Sequence, residues 1–408
     1  MGHETHDLTA LAVVLAAAVA CGLFMNRLRL PAAAGFILVG LGLGPSGAGL
    51  IQTSTSIETL AELGVLMLLF IIGMEMRLSN FARSLPLALG VTLATIAIIP
   101  TSVGLFTWAV EGEISGGLVI GFMLAISSTA VAMKMIEDAG QKDAPAGRAA
   151  VSILLAQDLA VVPLLLVTNA LGAPMTGTAL WSVGWRLALA FALLAAFIHV
   201  LARVKSFRFP ASEYLLKNSD VGTLGVLGVC FAAASASGLM GLSPALGAFL
   251  GGLAVGHSTL RRGALSMAEP VQAILLFVFF LSVGLLIDLD YLMQQAWVIG
   301  AALVVVTGGK TVLNFILLML AGEKFENSFL TALFLSPVGE FSFVIAGAGL
   351  TVGALSPAGH KLAIAVIAMS LLASPIFFLC ARLAHRLATT GRILPPRAAV
   401  EPAMPGPG

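Results

Sequence analysis

The chain is built from apolar runs of about twenty residues separated by short polar loops, and a helical run of that length spans a ~30 Å hydrocarbon core. Thirteen such segments can be counted: 8–25, 31–50, 58–77, 85–109, 116–136, 148–171, 179–202, 220–238, 241–256, 270–287, 292–321, 328–350 and 360–385. With 59% hydrophobic and 10% charged residues the chain is no soluble globular domain, and continuous apolar runs exclude a β-barrel. The expected fold class is an all-α polytopic membrane protein. The first run follows His3, Glu4, His6 and Asp7 rather than a basic stretch and has no small-residue cleavage site, so it reads as a retained span. Cys21, Cys230 and Cys380 sit singly in apolar runs and read as small buried side chains. A net charge of +1 implies no nucleic-acid partner. There is no metal-ligand cluster, nucleophile–base pair or phosphate loop, so neither an enzyme nor a cofactor is expected.

Charge fixes the expected orientation. Eighteen of the 21 Lys and Arg residues fall in loops after odd-numbered segments or in the tail. Lys361 alone falls on the other side, while Lys310 and Arg186 lie inside segments. The positive-inside rule then puts the N-terminus outside and the C-terminus in the cytoplasm, and the expected location is a bacterial inner membrane. Arg186, beside Trp181 and Trp185, reads as a cation snorkelling to an outer aromatic belt. His257 and His360 fall at span ends, where ordinary polar roles are expected.

The two halves resemble each other. LPAAAGFILVG from Leu30 returns as SPALGAFLGG from Ser243, Gly73 aligns with Gly284 and Glu58 with Glu269, and Ser127 aligns with Ser336, at offsets of 213, 211 and 209. An offset of seven spans inverts the second half in the membrane. The expectation is two inverted six-helix repeats, spans 1–6 (8–171) and 8–13 (220–385), with 179–202 as linker and 386–408 as a Pro-rich tail. Ser127-Ser128-Thr129 interrupts the fifth span, and Ser336-Pro337-Val338-Gly339-Glu340 interrupts the twelfth. Broken helices in matching positions point to an ion site at the membrane midplane.

The sixth span carries Asp158 about 15 Å from its polar end, where a charge costs several kcal/mol unless it faces a protein-lined cavity. The alternative is a protonated acid acting as helix glue. The expected ion and proton site is Asp158 with Gln157, Ser127, Ser128 and Thr129, supported by the charges of Lys310 and Glu340. Carbonyls, hydroxyls, an amide and one carboxylate can replace the hydration shell of K+ or Na+. A carboxylate removed from water is neutralised by either a proton or a cation, and that competition suffices for exchange. Lys310 lies too deep to snorkel and is expected to pair with Glu340 or Asp158, while Glu340 reads equally well as an acceptor capping the broken helix.

LAELGVLMLLFIIGMEM, LAISSTAVAM, LLAQDLAVVPLL, GLSPALGAFLGG, FVFFLSVGLLIDL and SPVGEFSFVI together resemble the monovalent cation:proton antiporter-2 family, most closely its Kef-type potassium/proton branch. The resemblance implies thirteen helices, a homodimer with a static dimerisation part, and a mobile core in which the broken helices 5 and 12 cross. Gln157-Asp158 fills the slot held by two adjacent acids in electrogenic sodium-type relatives, which implies one cation for one proton and favours K+ over Na+. Lys310 matches the lysine that pairs with the first of those acids, a position that is Gln157 here. The cytoplasmic nucleotide-binding domain usual in the Kef branch is absent from this sequence, which reads as an antiporter module alone or a truncated chain. The expected function is cation-for-proton exchange by alternating access. Its rivals are a gated potassium efflux channel on the same scaffold and a membrane sensor that does not transport.

Overall fold

The computed structural model describes residues 2–28, 32–52, 54–75, 85–141, 144–172, 185, 218–240 and 244–390. The linker span 179–202 with Arg186 and Trp181, the loop residues Arg77 and Arg83, and the tail beyond residue 390 lie outside the described residues. Helix dominates what is described, and an isolated antiparallel bridge joins Ser127 to Val338. In chain order the helices are α1 (Gly2–Arg27), α2 (Ala32–Leu43), α3 (Thr55–Glu75), α4 (Leu85–Glu111), α5 (Ser115–Ala125), α6 (Thr129–Asp138) and α7 (Pro145–Leu171). They continue as α8 (Ser219–Leu239), α9 (Pro244–Gly256), α10 (Arg261–Leu286), α11 (Leu289–Gln294), α12 (Ala296–Leu320), α13 (Phe325–Phe334), α14 (Phe341–Thr351) and α15 (Pro357–Thr390).

Seven of the described helices are long and apolar enough to cross a membrane, and shorter apolar helices, among them α2, α5, α9 and α14, lie between them. This is a multi-pass membrane protein. Their outward faces are rich in Leu, Val, Ile and Trp, as on α4 (Leu93, Phe106, Trp108) and α12 (Trp297, Val304, Leu320), the surface that lipid rather than water would cover.

The helices pack as two groups. In one, α3 lies against α9 and α10, and α2 against α1 and α10; in the other, α4, α5 and α7 pack with α12–α15. Glycine sets the closeness of the first group, because a Cβ there would collide with the facing backbone. A Cβ on Gly40 would meet the Leu281 carbonyl, and one on Gly284 the Ile37 carbonyl; on the other pair, Gly252 faces the Phe70 carbonyl and Gly73 the Phe249 carbonyl. Small residues allow such approach where lipid supplies no hydrophobic drive.

The second group holds the interruptions. The fifth predicted span divides into α5 and α6 at Ile126–Ser128, and the twelfth into α13 and α14 at Leu335–Glu340. The breaks cross: Gly339 N–H donates to the Ile126 carbonyl (3.0 Å) and Ser128 N–H to the Pro337 carbonyl (3.2 Å). Gly339 has to be glycine, since a Cβ would sit 2.8 Å from the Ser127 carbonyl oxygen.

Candidate ion site

Four half-helices end where the breaks cross, and each end exposes backbone groups that its own turn cannot satisfy. Residues near the crossing answer these ends by sign. At the negative ends, Lys310 Nζ donates to the carbonyl of Ile126 (2.7 Å), which follows α5, and to that of Pro337 (3.3 Å), which follows α13. A cation there opposes two converging helix dipoles. The expected pairing of Lys310 with Glu340 or Asp158 is therefore corrected: its N–H groups go to carbonyls, because the crossing concentrates acceptors that no N–H of the interrupted helices fully satisfies. One turn along α12, Asn314 Nδ2 donates to the backbone carbonyl of Lys310 (2.9 Å), and Asn314 Oδ1 accepts from Thr95 (3.4 Å).

At the positive end of α6 sit hydroxyls and acids. Ser128 is its N-cap, accepting from Val131 N–H (3.2 Å) while donating to Glu340 Oε2 (2.7 Å). Thr129, the first residue of α6, donates to Asp158 Oδ2 (2.9 Å). Two carboxylates thus address one helix N-terminus, the end that favours negative charge. Asp158 is 1% exposed and interacts electrostatically with Glu340. Its second oxygen, Oδ1, is buried without a hydrogen-bond partner. Thr129 is half-buried and the next residue, Ala130, is exposed. Pro163 lacks the N–H that would bind the Leu159 carbonyl, so a backbone acceptor is freed one residue after the acid.

The remaining candidates shape the crossing more than they face an ion. Gln157 Oε1 accepts the Ser127 N–H (2.9 Å), which commits its carbonyl to the break, and its Nε2 is buried without a partner. Ser127 Oγ donates to the Leu335 carbonyl (2.7 Å). All seven candidates named from the sequence come together here. What the sequence did not single out is the outer ring: Asn314 and Thr95, Ser370 accepting from Val338 N–H (3.1 Å), and Ser342 donating to the Met123 carbonyl (2.6 Å). Their signal was polar residues inside apolar spans, a pattern also met in ordinary helix packing.

Comparison with known proteins gives the family and the fold. The family described as "Sodium/hydrogen exchanger, transmembrane" matches residues 13–379. The chain belongs to that family. It is 39% identical over 382 residues to the iron transporter MagA of Paramagnetospirillum magneticum, a match covering 94% of this chain and 87% of MagA. It is 30% identical to the chloroplastic K(+) efflux antiporter 1 of Arabidopsis thaliana, covering 84% of this chain but 29% of that longer protein. The Kef-type resemblance read from the six motif blocks therefore holds. Among solved structures, the sodium proton antiporter MjNhaP1 from Methanocaldococcus jannaschii superposes with a TM-score of 0.65, covering 93% of this chain and 99% of that one at 16% identity, which establishes a shared fold.

Proposed function

We propose that the protein exchanges a monovalent cation, K+ ahead of Na+, for a proton, one for one and without net charge movement, with Asp158 as their common carrier. One observation carries this reading. Asp158 is a buried carboxylate with an unpartnered oxygen, it has no cationic partner among the described residues, and it is held at the crossing of two broken helices. Such a group has to be neutralised by what it binds. Cation and proton compete for it, so neither can leave unless the other, or the opposite side of the membrane, supplies a replacement. Lys310 is engaged by carbonyls and leaves Asp158 as the titrating group, which supports one proton per cation.

Further details follow from the same reading. The Gly40–Gly284 contact has a counterpart in Gly252–Gly73, at positions near one repeat offset away, which supports two inverted six-helix repeats within thirteen spans. The group α1–α3 with α8–α10 would be the static, dimer-forming part, and α4–α7 with α12–α15 the moving core. An inner-membrane location belongs to the same reading, and the loop charges support a C-terminus in the cytoplasm. The side-chain and backbone ligands offered at the crossing are oxygens, which suits a hard cation.

The test is a proteoliposome assay with a luminal pH dye, an imposed proton gradient, and pulses of K+, Na+ or Li+, with ferrous iron included because MagA is described as an iron transporter. Cation-driven dequenching is expected for wild type and not for Asp158→Asn, and it should not respond to membrane potential. Equal signals from both proteins would remove Asp158 from the mechanism, and flux that follows voltage without proton movement would favour the channel.

A further inference from the structure

A small cavity lies between the two helix groups, beside the crossing but not at Asp158. It is lined by Ala33 and Ala34 of α2, Phe280 of α10, Leu371 of α15, Ser128, Ala130 and Val131 at the start of α6, and Glu340, and its volume of about 10 Å³ suits one water or one dehydrated monovalent ion of similar size. Glu340 is the only charged group in that lining. Its carboxylate, 7% exposed, accepts from Ser128 and from the backbone N–H groups of Ala130 and of Glu340 itself, and meets no cation among the described residues. The charged groups nearest it are Asp158, of like sign, and Lys310, whose N–H groups are committed to Ile126 and Pro337. From α2, α10 and α15 only apolar side chains face it. Exposed Ala130 borders the cavity, while its half-buried neighbour Thr129 donates to Asp158. Ala130 and Glu340 thus share one cavity, and Asp158 with its orphaned Oδ1 is outside its lining.

This buried carboxylate is met by neutral donors alone and has no counter-charge, and the water-sized space beside it gives a cation or a proton a place to supply one. We propose that Glu340 and Ser128 form an entry site, separate from Asp158, that holds the incoming monovalent cation or proton before it passes Thr129 to the central acid. This rests on the antiport reading and adds a second binding position to it.

Labelling tests it without relying on transport. Ala130→Cys is placed in a chain whose Cys21, Cys230 and Cys380 are serine, reconstituted in liposomes and treated with a cationic methanethiosulfonate reagent, in K+ or in choline. The cysteine should react, and K+ at ten times its dissociation constant should slow the reaction about tenfold by occupancy. Protection should persist with Asp158→Asn, survive Glu340→Asp, and disappear with Glu340→Gln, whose labelling rate in choline serves as the check on folding. If Glu340→Gln does not fold, Ser128→Ala replaces it and should weaken protection. An unreactive cysteine, protection that survives Glu340→Gln, or protection lost with Asp158→Asn overturns the entry site. Antiport that survives Asp158→Asn instead overturns the central reading, whatever the labelling shows.

Discussion

Replacing Lys310 by methionine tests whether its ammonium serves helix ends or an acid. The substitution keeps length and apolar bulk while removing one close hydrogen bond at 2.7 Å and one long one at 3.3 Å. A hydrogen bond from a charged donor contributes about 1.5–3 kcal/mol, and a cation at a helix C-terminus about 0.3–1 kcal/mol. Neither carbonyl is orphaned by the change, because Ile126 still accepts from Gly339 and Pro337 from Ser128. Losing a buried ammonium also removes its desolvation cost. The balance is a destabilisation of about 2 kcal/mol, short of the ~3–5 kcal/mol expected when a buried ion pair is broken. The assay is thermal unfolding in detergent of Lys310→Met, Asp158→Asn, Glu340→Gln and the two doubles with Lys310→Met. With the amine on carbonyls, the single effects should add to within about 0.5 kcal/mol. If Lys310→Met costs stability in wild type but none in the Asp158→Asn or Glu340→Gln background, the lysine is paired with that acid and the carbonyl account is wrong.

Further outcomes follow from the same contacts. Gly339→Ala forces a Cβ to 2.8 Å from the Ser127 carbonyl, so the crossing must shift, and both melting temperature and transport should fall; an alanine variant with wild-type exchange would show that the breaks need not lie so close. Gln157→Leu strands the buried Ser127 N–H at a cost of about 1–3 kcal/mol. Gln157→Glu keeps an acceptor there and should unfold at a higher temperature than the leucine variant in the same thermal scan. Away from the site, the Tyr291 N–H and then Lys361 (2.9 Å) hold the Asp288 carboxyl below its ordinary range. A lowered value means the contribution is present above the unfolded pKa and is lost as pH falls through the folded one. The small stability difference between wild type and Lys361→Met should therefore vanish on acidification below the usual carboxylate range, as read by melting temperature against pH.

Much of the site was legible because burial in a membrane makes polar residues conspicuous. Asp158, Lys310 and Glu340 stand out in apolar spans, and Ser-Ser-Thr and Ser-Pro-Val-Gly-Glu mark helix breaks by elementary backbone chemistry. Sequence could not say which partner each group takes. Opposite charges suggested that Lys310 seeks an acid, but the competition is decided by distance, and the crossing puts two helix-terminal carbonyls nearer. The same holds for Gln157, which had the chemistry of a cation ligand until the fold brought the Ser127 N–H to its oxygen.

Apolar run length, the loop charges and two matched interruptions were enough to determine a helical, many-times-spanning chain with an acid where lipid would not tolerate one. These are local properties, each read within about twenty residues. Only the tertiary structure decided that the interruptions lie against each other across 211 positions of sequence, that a lysine spans both negative helix ends, and that the two carboxylates divide, one enclosed and one facing a cavity. Those facts depend on which helix ends meet, and helix dipoles and unsatisfied backbone groups act over a few ångströms that no single segment contains.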